Sequence, residues 1–453
     1  MSAGRNPKVS LATAKVVPVF LGLIIAYVSY SITGPLTIQF LFNPPDEVPE
    51  RITIGIAIVI AYYVLLVPVA AAWIRLLVVV LRSPGYVPLG SERTGEEAEP
   101  ASGLESFWMR DVFACDSRGL PIWCSACNNW KPDRTHHNQD CGRCTEKMDH
   151  FCPWVGGVVG ERSYKFFVQM NFYSMLLCAF TVGVLAFFVA ESEEDSDLEV
   201  QWLVALGLSA FFCLFTAGML GNSLWMTFHN VTTIENLDAF SRTMFLAVLL
   251  PPELQGQNLS GPPMPPQAHL RDDVSPSRSG DSGRPLTSDI NDASHSTYFS
   301  NFNVPRPRRR SSMLPLQDRI WRGTITYPIH LPADRPPLPA PQPRTFAILE
   351  TLPGMNVWDL GSSFSNFRAV FGNNLHHWLL PVRHSPCCDH TSTISHYPLG
   401  PDFEELLIEA GLLSRPSSFP PPKRDHIDSR RSTASRKRRR RRRLDEGWQH
   451  GER

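Results

Sequence analysis

Residues 52–81, ITIGIAIVIAYYVLLVPVAAAWIRLLVVVL, decide the fold, because this run contains a single charged residue, Arg75. The run exceeds the roughly 20 residues that an α-helix needs to cross the apolar core of a bilayer. Three further apolar runs of spanning length occupy residues 16–36, 166–190 and 201–227. Four such runs predict an all-α polytopic membrane protein with four transmembrane helices, and they argue against a soluble protein with four long core helices.

Lysine and arginine beside the runs predict the orientation, because the positive-inside rule depends on these flanks and not on the total charge. The total is zero, with 43 basic and 43 acidic residues. One side of the membrane carries Arg5, Lys8, Lys15, Arg75, Arg82, Arg162 and Lys165. The other side has Arg51 and the acidic segment ESEEDSDLEVQ, residues 191–201. We therefore expect the N-terminus (residues 1–15), the loop 82–165 and the C-terminus to be cytosolic.

Cysteines are concentrated in the predicted cytosolic loop. Six of the ten lie there: Cys115, Cys124, Cys127, Cys141, Cys144 and Cys152. Thiols in a reducing compartment more often bind metal or take part in catalysis than form disulfides. Cys178 and Cys213 fall inside spans, and we interpret them as small apolar core residues.

The chain after the fourth span changes composition. Residues 251–345 are dense in Pro, Ser and Arg and poor in apolar residues, which predicts a disordered insert between residues 228–250 and an ordered block at 354–382. Residues 383–453 are predicted to be a disordered basic tail, although Phe403–Leu413 fits a short amphipathic helix.

Two features of this tail have more than one interpretation. Arg436–Arg443 is a run of eight basic residues. It fits binding to anionic lipid head groups, binding to nucleic acid, or no specific partner, and we favour lipid because the protein is already at a membrane. Cys387 and Cys388 form a vicinal pair that is either self-acylated or incidental.

The loop contains an ordered string of motifs, CSACNNWKPDRTHHNQDCGRCTEKMDHFCPW over residues 124–154, followed by YKFF over residues 164–167. This string resembles the cysteine-rich domain of the DHHC protein S-acyltransferases (about residues 122–172 here), and it lies between spans two and three, where that family has it. Residues His229–Asn236 resemble the family's TTxE motif, and Trp358–Gly372 resemble its C-terminal block. The resemblance implies a protein S-palmitoyltransferase that takes an acyl group from palmitoyl-CoA.

The chemistry of acyl transfer fits the residues around Cys152. A free cysteine is only slightly ionised at neutral pH, so a thioester-forming thiol needs a base or a positive charge nearby. His150 is the candidate base, and Asp149 is the candidate residue that fixes the tautomer of the His150 imidazole and supports its positive charge. The alternative is that His150 and Cys152 are metal ligands.

The resemblance also implies zinc ligands. By position the first set is Cys124, Cys127, His137 and Cys144, a Cys₃His site of the structural type. The positions of the family's second set hold Asn138, Cys141, Phe151 and Val158. This second site looks vacated, so we expect one zinc ion per chain. The signature motif reads Asp-His-Phe-Cys, which resembles a fungal branch of the family with an aromatic residue at the third position.

The family's acyl donor and acceptors complete the expectations. Lys131, Arg134, Arg162 and Lys165 are candidates to meet the phosphates of coenzyme A, although each also fits a solvated or lipid-facing charge. The expected partners are palmitoyl-CoA, cysteine thiols of cytosolic or membrane-associated proteins, and membrane lipid, with no nucleic acid.

Two other protein classes fit parts of the sequence. A catalytically dead scaffold of the same fold would not need the intact Asp149, His150 and Cys152. A membrane-bound zinc module of the ubiquitin-ligase type needs two cross-braced metal sites, and here three of the four positions of the second set hold no zinc ligand.

Overall fold

The computed structural model describes residues 7–44, 49–90, 104–192, 199–237, 243–254, 320–327 and 342–414. Four helices in these ranges are long and apolar enough to cross a membrane. They are α1 (Pro7–Ser31), α2 (Ile52–Arg82), α3 (Tyr164–Ser192) and α4 (Val200–Phe228). Helix α3 packs against both α2 and α4, and the apolar core between the helices includes Tyr62, Leu185 and Trp202. The protein is therefore a multi-pass membrane protein.

The first span is longer than predicted. Helix α1 continues as a π-helical segment, Ile32–Phe42, beyond the expected end at residue 36. Pro35 lies in this segment and has no backbone N–H to donate, so an ordinary α-helical ladder is interrupted. The hydroxyl of Thr37 instead donates to the carbonyl of Ile32 at 2.7 Å, which satisfies a carbonyl of the altered turn.

Between α2 and α3 the chain forms three short antiparallel hairpins. They pair β2 (Trp123–Cys124) with β3 (Asn129–Trp130), β4 (His136–Asn138) with β5 (Arg143–Thr145), and β6 (His150–Cys152) with β7 (Gly157–Val159). A 3₁₀ turn, Pro153–Val155, joins β6 to β7 and packs against α1. The hairpin segment therefore sits against the end of the helix bundle at which α2 ends and α3 begins.

The expectation of an all-α protein is wrong, because a four-stranded antiparallel sheet lies beside the hairpins. Its order is β1 (Val112–Cys115), β8 (Phe245–Leu249), β10 (Arg344–Glu350), β9 (Trp321–Tyr327). Successive residues point to opposite faces of a strand, and here both faces are covered. Phe346 packs with Phe113 on one face, and Leu349 packs with Trp358 on the other. Continuous apolar strands such as FLAVL, Phe245–Leu249, are typical of a sheet buried on both sides.

Two predictions of disorder are wrong in part. Strand β9 lies inside the range 251–345, and residues 383–414 of the predicted tail are ordered as well. Thr233–Leu237, after the fourth span, forms the short helix α5. The C-terminal part forms α6 (Ser363–Phe371), α7 (Leu375–Leu379) and α8 (Pro401–Glu409), the last of which includes most of the predicted amphipathic helix. Phe403 and Leu406 of α8 pack under the sheet. Residues 255–319 and 328–341 of the insert lie outside the described residues, and so do residues 415–453 with the basic run Arg436–Arg443.

Candidate active site

Cys152 and His150 lie on the same strand, β6, two residues apart. In an extended strand, residues i and i+2 point to the same face, so the motif places the imidazole beside the thiol without any long-range folding. Phe151 points to the opposite face and is paired with Val158 of β7. The amide of Asp149 donates to the carbonyl of Val159 at 3.0 Å, which continues the hairpin to the third residue of the site.

Asp149 is held by a residue that follows the fourth span. Its Oδ2 lies 2.7 Å from Nδ1 of His150. Thr233 donates twice to the same carboxylate, from its amide to Oδ1 at 2.8 Å and from its hydroxyl to Oδ2 at 2.9 Å. The carboxylate is 2% exposed. Thr233 therefore fixes the carboxylate of Asp149, which orients His150. The resemblance to the TTxE motif pointed to this threonine in the sequence but did not indicate its role.

The electrostatics favour a proton on His150. Burial lowers the pKa of the imidazole, but the hydrogen bond to Asp149 and the interaction with Cys152 outweigh it and raise the pKa to about 10. A proton released by the thiol would therefore stay on the imidazole at neutral pH. Nε2 of His150 has no hydrogen-bond partner within the described part of the chain, so this nitrogen is available to a reacting group.

The surroundings of Cys152 are apolar. The residue is 6% exposed and packs in a cluster with Leu76 and Val80 of α2 and Phe166 of α3. Trp154, two residues further on, lies with its ring centroid 5.5 Å from that of Phe215 in the fourth span. The thiol thus sits where the apolar helices meet the polar hairpin domain. A fatty chain lying among the helices could bring its thioester to this point.

The four residues predicted as the first zinc set come together. Their ligand atoms, from Cys124, Cys127, His137 and Cys144, all lie within 4.8 Å of one another. Nδ1 of His137 is 3.5, 3.3 and 3.8 Å from the three sulfurs. A tetrahedral zinc ion with ordinary Zn–S and Zn–N bonds would separate N and S by about 3.5 Å. The donor set therefore fits one zinc ion.

One thiol of this cluster, that of Cys124, is favoured as the thiolate. The pKa of Cys124 is lowered, chiefly by a hydrogen bond with Cys144 and against the effect of burial, with further contributions from His137 and the charge of Lys131. A thiolate is the form that binds zinc. The first two hairpins supply the set: Cys124 is in β2, His137 is in β4 and Cys144 is in β5.

The positions of the second set hold no comparable cluster in the described residues. Phe151 and Val158 are cross-strand partners, as expected for two apolar side chains that replace ligands, and Val158 is fully buried. The side chain of Asn138 accepts a hydrogen bond from the amide of Cys141 at 2.9 Å, so it caps its own turn. Cys141 remains a free thiol.

The four cations proposed for coenzyme A occupy different environments. Arg134 is fully buried, and Nε and Nη2 bind the carboxylate of Glu235 while Nη1 lies 3.0 Å from Oδ1 of Asn230. Lys131 is buried near the thiol cluster, and Nζ of Lys165 donates to the carbonyl of Phe371 at 3.3 Å. This geometry does not favour Arg134 or Lys165 as phosphate ligands.

Arg162 is the candidate cation that keeps access to solvent. Its Nη1 donates to Ser83 at 2.8 Å, and its backbone carbonyl lies 3.1 Å from Nδ1 of His384. His384 in turn lies 3.2 Å from Nη2 of Arg75, near the end of α2. Sequence reasoning missed this contact between the C-terminal segment and the span ends, because residues 75 and 384 are far apart in the chain.

The buried pair of Arg134 and Glu235 connects the hairpins to the segment after α4. The guanidinium also lies over the ring of Trp358 at 4.8 Å, and the side chain of Asn230 donates to the carbonyl of Trp358 at 2.6 Å. Asn366 completes the junction by donating to the carbonyl of Phe228 at 2.8 Å. The three family-like segments thus pack into one unit behind Asp149.

The comparison with known proteins agrees with this arrangement. A family model for the DHHC palmitoyltransferase matches residues 119–239. The palmitoyltransferase pfa5 of Aspergillus fumigatus is 33% identical over 460 residues, which cover 90% of this chain and 92% of the relative. The pfa5 palmitoyltransferase of Emericella nidulans is 34% identical over 92% of this chain and 89% of its own length. PFA5 of Saccharomyces cerevisiae is 26% identical over 44% of this chain and 58% of its own length. The chain belongs to the DHHC palmitoyltransferase family.

Proposed function

We propose that this protein is a palmitoyl-CoA-dependent protein S-acyltransferase that carries the acyl group on Cys152. The observation that carries the proposal is the placement of the Cys152 thiol beside an imidazole that Asp149 holds at 2.7 Å, at the junction of the apolar helices and the hairpin domain. The substrates are cysteine thiols of cytosolic or membrane-associated proteins.

In the first step the imidazole of His150 accepts the thiol proton of Cys152, and Asp149 stabilises the resulting imidazolium. The sulfur attacks the thioester carbonyl of palmitoyl-CoA, and the bond between that carbonyl and the sulfur of coenzyme A breaks. The imidazolium returns its proton to the departing thiolate. The products are S-palmitoyl-Cys152 and free coenzyme A.

In the second step a substrate thiol takes the place of the coenzyme. His150 accepts its proton, the substrate sulfur attacks the acyl carbonyl, and the bond to Cys152 breaks. Cys152 leaves as the thiolate, and the proton taken from the substrate thiol stays on His150 beside it. Because the same three side chains serve both steps, a loss at any of them slows both steps.

The membrane and the charges set the orientation of the substrates. We place the hairpin domain and both termini on the cytosolic side, supported by the excess of basic residues on the flanks that join this domain. The palmitoyl chain then lies among the spans, and coenzyme A stays in water. Arg162 is the candidate for its phosphates, supported by the partial exposure of the residue. We place the protein in a membrane by insertion of its four spans, with lipid as its surroundings.

The Cys₃His cluster holds one structural zinc ion in this proposal. The ion would cross-link the first two hairpins, and the chain's own residues would do the acyl chemistry. Cys124 and Cys127 anchor the first hairpin, and His137 and Cys144 anchor the second. His150 and Cys152 lie in the third hairpin, outside this cluster, which supports separate roles for ligands and nucleophile.

Labelling with a tagged palmitoyl-CoA tests the proposal. Purified full-length protein should acquire a hydroxylamine-sensitive label, and Cys152→Ala should acquire none. Cys141→Ser is the matched control, because it removes a loop thiol outside the ligand set and should keep the label. Equal labelling of Cys152→Ala would refute the nucleophile. A folded native protein that never acquires label would indicate the scaffold alternative.

A further inference from the structure

The chain at the end of α7 lies against the side of helix α3. Nε2 of Gln169 donates to the carbonyl of Trp378 at 2.8 Å, and the hydroxyl of Tyr173 donates to the carbonyl of Leu379 at 2.5 Å. The two donors are one turn apart on α3, about 6 Å along its axis. Polar side chains of a spanning helix therefore hold the backbone of this C-terminal segment.

These contacts lie at the depth where the apolar core of a membrane ends. At the far end of the spans Arg51 pairs with Glu191 of α3 at 2.7 Å, and charges at the ends of spans lie at the membrane interface. At 1.5 Å per residue, Tyr173 lies about 27 Å from Glu191 along α3, and Gln169 lies about 33 Å from it. The hydrocarbon core is about 30 Å thick. The segment therefore reaches the opposite boundary of this core.

The side chains that follow are apolar and face outward. Leu379, Leu380 and Val382 are 45%, 52% and 57% exposed. Phe172, the neighbour of Tyr173 on α3, is 36% exposed as well, so the patch is continuous with the outer surface of a spanning helix. Contiguous exposed apolar side chains at the end of a span are unfavourable in water and favourable among acyl chains.

The segment then reaches a cation that lacks a counterion. Nη2 of Arg75, in α2, lies 3.2 Å from Nε2 of His384, and Nδ1 of that ring lies 3.1 Å from the carbonyl of Arg162. Nδ1 therefore carries the proton, and Nε2 accepts from Arg75. Within the described ranges no carboxylate pairs with Arg75, and its Nε has no hydrogen-bond acceptor.

The imidazole stays neutral in this position. Burial lowers the pKa of His384, the hydrogen bond to the carbonyl of Arg162 opposes this effect, and the charge of Arg75 lowers the pKa further. A neutral ring accepts from the guanidinium and does not compensate its charge. The positive charge of Arg75 is thus oriented by His384 and remains available to an anion.

Aromatic packing fixes the same guanidinium beside the candidate nucleophile. Cζ of Arg75 lies 5.2 Å from the ring centroid of Phe166, and the ring of His384 meets Phe166 edge-on with 5.4 Å between centroids. Phe166 is fully buried in the apolar cluster that contains Cys152. A ligand of Arg75 would therefore bind one side chain away from that cluster.

We propose that Arg75 and the patch of Leu379, Leu380 and Val382 form a binding site for an anionic phospholipid, in the leaflet on the side of the hairpin domain. The patch contacts the acyl chains, and the guanidinium binds the phosphate. A guanidinium suits this role because it presents several N–H donors in one plane. Continuity with the spans favours a lipid over the phosphates of coenzyme A. The proposal depends on membrane insertion and not on acyl transfer.

Native mass spectrometry of the full-length protein in detergent tests the site, with equimolar phosphatidylglycerol and phosphatidylcholine added. We expect preferential retention of phosphatidylglycerol, weakened about tenfold or more in Arg75→Gln because a charged hydrogen-bond donor is lost. Arg82→Gln is the matched control, since Arg82 is exposed at the end of the same helix, and it should retain the lipid. Both variants keep the basic run Arg436–Arg443, so its attraction for anionic lipid is the same in each.

A second pair of variants tests the patch without changing a buried residue. Val382→Glu places a carboxylate among the acyl chains and beside the phosphate, and it should also weaken retention of phosphatidylglycerol. Ile394→Glu is its control, because Ile394 is 49% exposed and lies outside the patch. This pair decides the question should Arg75→Gln fail to fold. Equal retention by Val382→Glu and Ile394→Glu would refute the patch.

Free coenzyme A distinguishes the two sources of phosphate. A saturating concentration should leave the retained phosphatidylglycerol in place. Displacement of the lipid by coenzyme A would assign Arg75 to the acyl donor and overturn the lipid site. Equal retention by the native protein and Arg75→Gln, or equal loss from Arg75→Gln and Arg82→Gln, would overturn it too. The readout is lipid mass, so a protein that retains the lipid but never labels Cys152 would refute the enzymatic proposal alone.

Discussion

Replacing Thr233 by valine should slow acylation of Cys152 while leaving the fold in place. The hydroxyl of Thr233 donates to Oδ2 of Asp149 at 2.9 Å, and the same oxygen lies 2.7 Å from Nδ1 of His150. Valine has the same shape and keeps the backbone donation to Oδ1 at 2.8 Å. The variant thus removes one hydrogen bond from the carboxylate that supports the charge on His150.

A hydrogen bond to a charged group contributes about 1.5–3 kcal/mol. If the bond acts fully in the transition state, this loss corresponds to a rate reduction of about 10- to 150-fold, at 1.4 kcal/mol for each factor of ten. The measurement is the single-turnover rate of label transfer from tagged palmitoyl-CoA to the purified protein. Zinc content and thermal stability of the variant are measured alongside.

Thr181→Val is the matched control, because the hydroxyl of Thr181 donates to Leu177 in its own helix, at 2.8 Å, away from the site. We expect its rate to be unchanged. An unchanged rate in Thr233→Val would refute the role of this hydroxyl in orienting Asp149. An equal slowing of the two variants would assign the effect to a general loss of packing.

Four further outcomes are expected. His150→Ala should slow acylation by at least about 10²-fold with zinc content unchanged, and loss of zinc would make His150 a ligand. Folding raises the pKa of His150 from 6.5 to about 10. Protonation of this imidazole therefore stabilises the folded protein fully below pH 6.5, and this stabilisation is lost as the pH rises to 10. Over this interval the melting temperature should fall more in the native protein than in His150→Ala. Arg134→Met removes the cation opposite Glu235 in a pair whose side chains are 0% and 3% exposed, and should cost about 3–5 kcal/mol of unfolding free energy, whereas a double variant with Glu235→Met should cost less. Phe151→His should lower the melting temperature, because it places a polar ring against Val158 without completing a metal site; a stabilised protein with added zinc would contradict this.

The sequence was sufficient for the features that depend on local order. Long apolar runs identified all four spans, since a helix that satisfies its own backbone is the main way to cross a bilayer. The family resemblance gave Cys124, Cys127, His137 and Cys144 as the candidate ligand set, and the four side chains come together because two neighbouring hairpins hold them a short distance apart. The period of a strand put His150 beside Cys152 in the same way.

The sequence was a poor guide wherever the partner is distant in the chain. Strand β9 lies in a segment of disordered composition, and it is ordered because β10 pairs with it and the sheet is buried on both faces. The sequence suggested Arg134 as a phosphate ligand or a solvated charge. In the structure its guanidinium is buried against the carboxylate of Glu235, a residue that follows the fourth span. No local pattern reports such a contact.

What the sequence alone determined is therefore the class of protein, its spans, its candidate nucleophile and its candidate Cys₃His metal cluster. Tertiary structure alone decided that Thr233 holds Asp149, that Glu235 neutralises Arg134, and that Cys387 and Cys388 meet Glu161. The physical reason is the same in each case. Apolar length and short spacing act within one helix or hairpin, whereas the burial of a charge depends on which distant segment packs against it.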